Sequence, residues 1–187
     1  MNHMSFANRA PEQWGMISVY TGDGKGKTTA ALGTAIRAIA KGKRVAIVYF
    51  DKGGTTHYSE RELPLGIALH PTGLDRIDPQ SGRFRFGVMP EDIAEAKRGL
   101  AIVEKIFADA SHDLIVLDEV NSTTALGMLI EQEVIDIIKK KPATMELIMT
   151  GRNAPQSFLD LANLVTEMKL VKHYFYNGVG AREGIDY

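Results

Sequence analysis

Between residues 16 and 31 the chain runs from a short apolar stretch, Met-Ile-Ser-Val-Tyr, through Thr21-Gly-Asp-Gly-Lys-Gly-Lys-Thr-Thr29 into an alanine-rich segment. Nothing else in the sequence restricts the fold as much. A glycine-rich turn joining a strand to a helix lets backbone N–H groups converge on phosphate oxygens, and the helix N-terminus adds its partial positive charge. Lys27 would then reach the phosphates, and the Thr28 hydroxyl would bind Mg²⁺. The pattern G-x-x-x-x-G-K-[ST] is met imperfectly. Its first glycine position holds Thr21, and Gly22 precedes Gly26 by four positions instead of five. A loop effectively one residue short should cradle a triphosphate differently from that of an ordinary kinase or GTPase.

The rest of the chain continues the alternation of short apolar runs with helix-period segments, which marks βαβ units and a parallel sheet. Strands are expected at 16–20, 44–50, 66–70, 113–117, 146–150 and 164–168. Helices are expected from Lys27 to about Ala40, from Pro90 onward, over 131–140 and over 155–162. The first helix has a small face (Ala30, Ala31, Gly33, Ala35, Ala38) suited to close packing on a sheet. The strand at 44–50 is β-branched and almost wholly apolar, hence central and buried on both faces. The helix after Pro90 repeats Ile93, Ala96, Leu100, Val103, Ile106/Phe107 and Ala110 on one face. Between Thr72 and Met89 the periodicity stops, and a long irregular loop inside a compact domain is usually functional or disordered. The expected fold class is therefore α/β: a single doubly wound domain over 15–187, with a mostly parallel sheet of about six strands. Residues 1–14 form an N-terminal arm.

The strand at 113–117 ends in Asp118-Glu119, two carboxylates at the sheet edge where open α/β sheets bind ligands. A carboxylate facing the threonine of the glycine-rich loop completes an oxygen site for Mg²⁺. Neighbours on a strand point opposite ways, so spacing leaves open which of Asp118 and Glu119 touches the metal. Arg83-Phe-Arg-Phe-Gly87 places two rings, Phe84 and Phe86, at period two in the irregular loop. They either cap an apolar ligand face or pin the loop to the core. The five histidines show no ligand spacing, and Lys41-Gly-Lys-Arg44 and Lys139-Lys-Lys141 read as cations at helix C-termini.

Composition narrows the function. Hydrophobic residues make up 44% and charged residues 24% of the 187, which rules out a largely disordered chain. Lys+Arg 22 against Asp+Glu 23 argues against a dedicated nucleic-acid or membrane-surface binder. With no cysteine, disulfides, Cys-ligated zinc, iron–sulfur clusters and a thiol nucleophile are excluded. No apolar stretch approaches the roughly 20 residues that span a bilayer, and residues 1–14 carry no apolar signal core, so a cytoplasmic location is expected.

Gly22-Asp-Gly-Lys-Gly-Lys-Thr-Thr-Ala-Ala31, Leu117-Asp-Glu119, Thr150-Gly-Arg152, Val171-Lys-His173 and the ending Gly178-Val-Gly-Ala-Arg-Glu-Gly-Ile-Asp-Tyr187 together resemble the ATP:corrinoid adenosyltransferases, from the glycine-rich loop to the last residue. The resemblance implies a RecA-like P-loop domain, usually a homodimer. It transfers the 5′-deoxyadenosyl group of MgATP to Co(I) of a corrinoid and releases triphosphate, in adenosylcobalamin biosynthesis or salvage. ATP would lie across the loop in reversed sense, held by Gly22, Asp23, Gly24, Lys25, Gly26, Lys27, Thr28, Thr29 and Arg152, with Thr28, Asp118 and Glu119 at the metal. Because cobalt is the nucleophile, the protein has only to orient the substrates and stabilise the leaving triphosphate. The family places aromatic rings below the corrin, where they exclude the lower axial ligand and ease reduction to Co(I). Phe84 and Phe86 occupy that loop here, with phenylalanine at 86 where tryptophan is the better-known residue. An electron-donor reductase is the further partner implied. Two other classes fit parts of the sequence. A generic P-loop kinase or ATPase would cleave the γ-phosphate, and a RecA-like module would couple ATP to nucleic acid.

Overall fold

The computed structural model describes residues 15–54, 58–62, 65–76, 80 and 85–186, so the expected arm at 1–14 lies outside the described residues. In chain order the elements are β1 (Ile17–Thr21), α1 (Lys27–Ile39), β2 (Val45–Tyr49), β3 (Ala68–Pro71), α2 (Pro90–Asp109), β4 (Leu114–Asp118), α3 (Val120–Ala125), α4 (Glu131–Ile138), β5 (Glu146–Thr150), α5 (Gln156–Leu161) and β6 (Leu164–Glu167). Short 3-10 turns cover Ser59–Glu62 and Tyr174–Asn177. The six strands form one sheet in the order β3-β2-β4-β5-β1-β6, and every pairing is parallel. The fold is thus doubly wound α/β, as the alternating pattern predicts.

Side-chain alternation along the strands sorts the core into two layers. Ala46 and Val48 of β2, Ile115 and Leu117 of β4, and Leu147 and Met149 of β5 face α2, α4 and α5, meeting Ala96, Leu100, Val103, Val134 and Phe158. The intervening residues Val45, Ile47, Tyr49, Leu114, Val116 and Ile148 face α1. All five residues of β2 and of β4 are buried, which explains their unbroken apolar runs. In α1 the closest approach to the sheet is made by the buried Ala31 and Ala35, with Leu32, Ala38 and Ile39 packed against the same cluster. Gly33, expected on that face, points into open space.

At the N-terminal edge Arg44 and Asp113 lash β2 to β4. Arg44 donates to Asp113 through its backbone N–H at 2.8 Å and through its guanidinium at 2.9 and 3.2 Å, and the Asp113 N–H returns a bond to the Arg44 carbonyl at 2.8 Å. The Arg44 side chain and backbone hold the Asp113 carboxyl down to about 2. A depressed carboxylate stabilises the fold fully above its unfolded value of about 4 and loses that contribution as pH falls toward the folded value. Melting temperature followed from pH 5 to pH 2 should therefore fall more steeply for the wild type than for Asp113→Asn.

Candidate active site

The site lies at the carboxyl edge of the sheet, where β1, β5 and β4 end side by side. Gly22 and Gly26 have φ of 93° and 116°, a left-handed backbone that favours glycine. A Cβ on Gly22 would come within 2.4 Å of the Met168 carbonyl oxygen, and one on Gly24 within 2.7 Å of the same atom. The loop is backed against the end of β6, and the Gly24 N–H donates to Met168 O at 2.7 Å. Gly26 caps α1, so the first helical residues, Lys27 and Thr28, face the space above the loop. Lys27 is buried and its ammonium donates to the carbonyls of Gly22 and Gly24, each at 2.8 Å. Burial lowers its pKa, while the charge of Glu119 pulls the other way.

One strand, β5, separates the loop-bearing β1 from β4, and its last residue bridges the gap. The Thr150 hydroxyl donates to Asp118 Oδ1 at 2.6 Å and accepts the Glu119 N–H at 3.0 Å. Asp118, fully buried, also accepts the Thr28 hydroxyl at 2.9 Å. Of the two carboxylates that spacing leaves undecided, Asp118 is the one bonded to Thr28. Glu119 turns the chain with φ 64°, a left-handed conformation uncommon for a side chain of its size, and accepts from Ser122 Oγ at 2.6 Å.

Lys52, just beyond the end of β2, joins this group. Its ammonium donates to Asp118 Oδ2 at 2.5 Å and to Thr28 Oγ1 at 3.0 Å, and lies 3.5 Å from Glu119 Oε1. Burial works to lower the Lys52 pKa, but Asp118 and Glu119 outweigh it and hold the value raised. No motif in the sequence marks Lys52. The available signal was position: Asp51-Lys-Gly-Gly54 follows an apolar strand directly at the ligand-binding edge.

A cleft of about 530 Å³ opens over these groups. Asp23, Lys25, Thr29 and Arg152 line it with the loop. Its far wall is the C-terminal segment, including Tyr174, Phe175, Val179 and Ile185. Lys25 clasps that wall to the loop: it donates to Tyr174 Oη at 3.1 Å and to Ile185 O at 2.9 Å, and ion-pairs with Asp186. Tyr174 Oη also donates to Asp186, and Arg182 ion-pairs with Asp186 at 3.0 Å while its guanidinium lies 4.6 Å from the Tyr174 ring centroid. Lys25, with Tyr174 and Arg182, holds the Asp186 carboxyl well below the usual carboxylate range. None of Tyr174, Arg182 or Asp186 is identifiable from spacing as part of a site.

The described ends of the irregular loop, at Arg76 and Arg85, are tied down by charge. Arg76, buried, donates to Asp51 Oδ1 at 2.6 Å and to the Gly87 carbonyl at 2.7 Å. Arg85 forms a two-pronged pair with Asp92 at 2.6 and 2.9 Å. Phe86, between these anchors, is 85% exposed and does not line the cleft. Phe84 lies outside the described residues.

A short glycine loop on a parallel sheet, a lysine folded into it, and a threonine–carboxylate pair across one strand define a P-loop nucleotide-binding protein of the α/β class. The family model described as ATP:corrinoid adenosyltransferase BtuR/CobO/CobP matches residues 13–187, and the chain belongs to that family. It is 38% identical over 181 residues to a corrinoid adenosyltransferase of Escherichia coli K12, covering 96% of this chain and 89% of that protein. It is 40% identical over 182 residues to the corrinoid adenosyltransferase CobA of Salmonella typhimurium LT2, covering 96% and 89%, and 33% identical over 182 residues to that of Pseudomonas aeruginosa, covering 96% and 87%. The chain is accordingly an adenosyltransferase acting on ATP and a corrinoid, and nothing in these relationships favours the kinase or ATPase alternative. Among the described residues no helix is long and apolar enough to cross a membrane.

Proposed function

We propose that the cleft binds the triphosphate of ATP on the Gly22–Thr29 loop and presents C5′ of the adenosyl group to Co(I) of a corrinoid. A Co–C5′ bond forms with the cobalt electron pair, the C5′–O bond breaks, and its electrons leave with the triphosphate. The observation that carries this reading is that Lys27, Thr28, Lys52 and Glu119 line the cleft beside the buried Asp118, which bonds to Thr28 and Lys52 and so gathers charged groups where the leaving group would be held. Lys27 would exchange its bonds to the Gly22 and Gly24 carbonyls for phosphate oxygens, and the loop N–H groups would stabilise charge as it develops. Lys25, Thr29 and Arg152 would orient the rest of the triphosphate.

The oxygen set fits Mg²⁺, because a cation of the protein itself, the Lys52 ammonium, already sits among Thr28 Oγ1, Asp118 and Glu119. Thr28 and Asp118 would hold the metal, with Glu119 beside them; when bound it would neutralise the triphosphate as it departs. A homodimer, an electron-donor reductase and a cytoplasmic location complete the proposal. The exposed apolar side chains Leu164, Val165 and Val171 are surface that a second copy would cover.

For Phe84 and Phe86 the proposed role is below the corrin, excluding the lower ligand of cobalt. The 85% exposure of Phe86 supports it, since most of that residue's surface can still be covered by a ligand. Phe84→Ala and Phe86→Ala should slow reduction of enzyme-bound Co(II), leave activity with pre-reduced Co(I) much less affected, and leave ATP affinity unchanged. Phe86→Ala should also change stability by no more than about 0.5 kcal/mol, as for other surface substitutions. Equal losses with Co(II) and Co(I), together with a lowered melting temperature, would assign the rings to anchoring the loop.

A further inference from the structure

The place held by the Lys52 ammonium is the place the foregoing reading gives to the divalent cation. Its neighbours, Thr28 Oγ1 at 3.0 Å, Asp118 Oδ2 at 2.5 Å and Glu119 Oε1 at 3.5 Å, are the oxygens named there as metal donors. An ammonium and a divalent cation cannot share one set of oxygens, because at contact distances in a partly buried site their repulsion is large. The two are therefore competitors.

Lys52 is also delivered by backbone that has little freedom. Its N–H donates to Thr72 O at 3.1 Å, and its carbonyl accepts from Arg61 at 2.6 Å. The Arg61 guanidinium is stacked between the rings of Tyr49 and Tyr58, 4.4 and 3.8 Å from their centroids. On the next residue a Cβ would stand 2.0 Å from Gly73 O, so Gly53 lets the two loops touch. With the main chain fixed from both sides, only the four-carbon stem of Lys52 is free to move. That stem is long enough to carry the ammonium from the carboxylates to an anion in the adjoining cleft, which Lys52 also lines.

We propose that Lys52 gates the metal site: its ammonium occupies the cation position while the loop is free of nucleotide and yields it when triphosphate oxygens arrive. This rests on the phosphate-site reading above. The metal then enters with the triphosphate and leaves with it, and the nucleotide-free protein does not sequester free divalent cation. Lys52 is a positioning residue in this scheme, holding Thr28 and Asp118 ready until the metal takes them. A purely structural ion pair would instead make Lys52 matter for stability and leave metal affinity alone.

The test measures Mn²⁺ binding to nucleotide-free protein by electron paramagnetic resonance of the free ion, which requires no turnover. Lys52→Met should bind Mn²⁺ at least about tenfold more tightly than the wild type, within the range of ordinary coupling between ligands. Lys52→Gln, which keeps a hydrogen-bonding head without charge, should do the same and serves if the methionine variant fails to fold. Arg152→Gln removes a positive charge from the same cleft but not from the oxygens, and should change Mn²⁺ affinity much less. Equal Mn²⁺ affinity in wild type and both Lys52 variants would overturn the proposal, as would an equal gain in Arg152→Gln, which would show a general field effect. Titration of the wild type with ATP separates the two levels. ATP binding with unchanged Mn²⁺ affinity in the Lys52 variants removes the gate alone, whereas no ATP binding removes the phosphate-site reading and the gate with it.

Discussion

Lys27→Ala should lower kcat by about two to three orders of magnitude, the effect of removing one charge-stabilising donor from a preorganised site. The side chain is buried against the loop and, among the described residues, its ammonium donates to the backbone carbonyls of Gly22 and Gly24. These bonds hold it beside the loop without a direct ion pair to a carboxylate among the described residues, so its charge is available as the triphosphate departs. Removing it takes away stabilisation that grows between ground state and transition state, and the loss should fall on kcat more than on ATP affinity. Steady-state kinetics with pre-reduced corrinoid, together with direct ATP titration, make that division visible. Unaltered turnover would mean that the triphosphate does not lie on this loop.

Asp118 and Glu119 are neighbours in sequence and should behave differently when changed. Asp118 is fully buried and bonded to Thr28, Thr150 and Lys52. Asp118→Ala leaves the Lys52 ammonium facing only Glu119, and should cost about 3 kcal/mol, the low end for breaking a buried ion pair because that second carboxylate remains. For a chain of this length the melting temperature should drop by about 6–12 °C. Activity should be lost at every Mg²⁺ concentration, since Thr28 loses its partner as well. Glu119 is a quarter exposed, and its bond from Ser122 can be kept by an amide oxygen. Glu119→Gln should therefore stay within about 1 kcal/mol of wild-type stability and raise the Mg²⁺ concentration needed for half-maximal activity. Thermal melts and Mg²⁺ titrations of the pair check both halves. The reverse ranking would move the metal from Asp118 to Glu119.

What could be read from the chain, and what could not, follows from the range of the interactions involved. The strand at 113–117, the loop at 21–29 and the helix after Pro90 declare themselves through local periodicity and end signals, and each appears within a residue or two of its expected place. Helix α3 does not, because Val-Asn-Ser-Thr-Thr-Ala is poor in helix formers. It starts at the left-handed turn of Glu119 and is held by burial of Val120, Asn121, Thr123 and Thr124, the two threonine hydroxyls satisfying themselves on the Glu119 and Val120 carbonyls at 2.8 and 2.9 Å. The strand order, which sets β5 between the loop and the carboxylates and so brings in Thr150, has no local signature. Lys25 and Asp186 meet across 161 positions, and no spacing rule pairs them. The glycine-rich loop and the carboxylates are thus legible as a candidate phosphate and metal site, while Lys52 and Tyr174 beside them, and the contacts that Arg182 and Asp186 make, become visible only in the fold.

Identifying the nucleotide product tests the adenosyl-transfer reading most directly. The purified protein is mixed under anaerobic conditions with MgATP and a chemically reduced Co(I) corrinoid, and both the nucleotide fragments and the cobalt spectrum are followed. Inorganic triphosphate should appear in step with a light-sensitive Co–C bond, without ADP. ADP and phosphate formed while the corrinoid stays unalkylated would contradict adenosyl transfer and make the chain a γ-phosphate-cleaving enzyme instead.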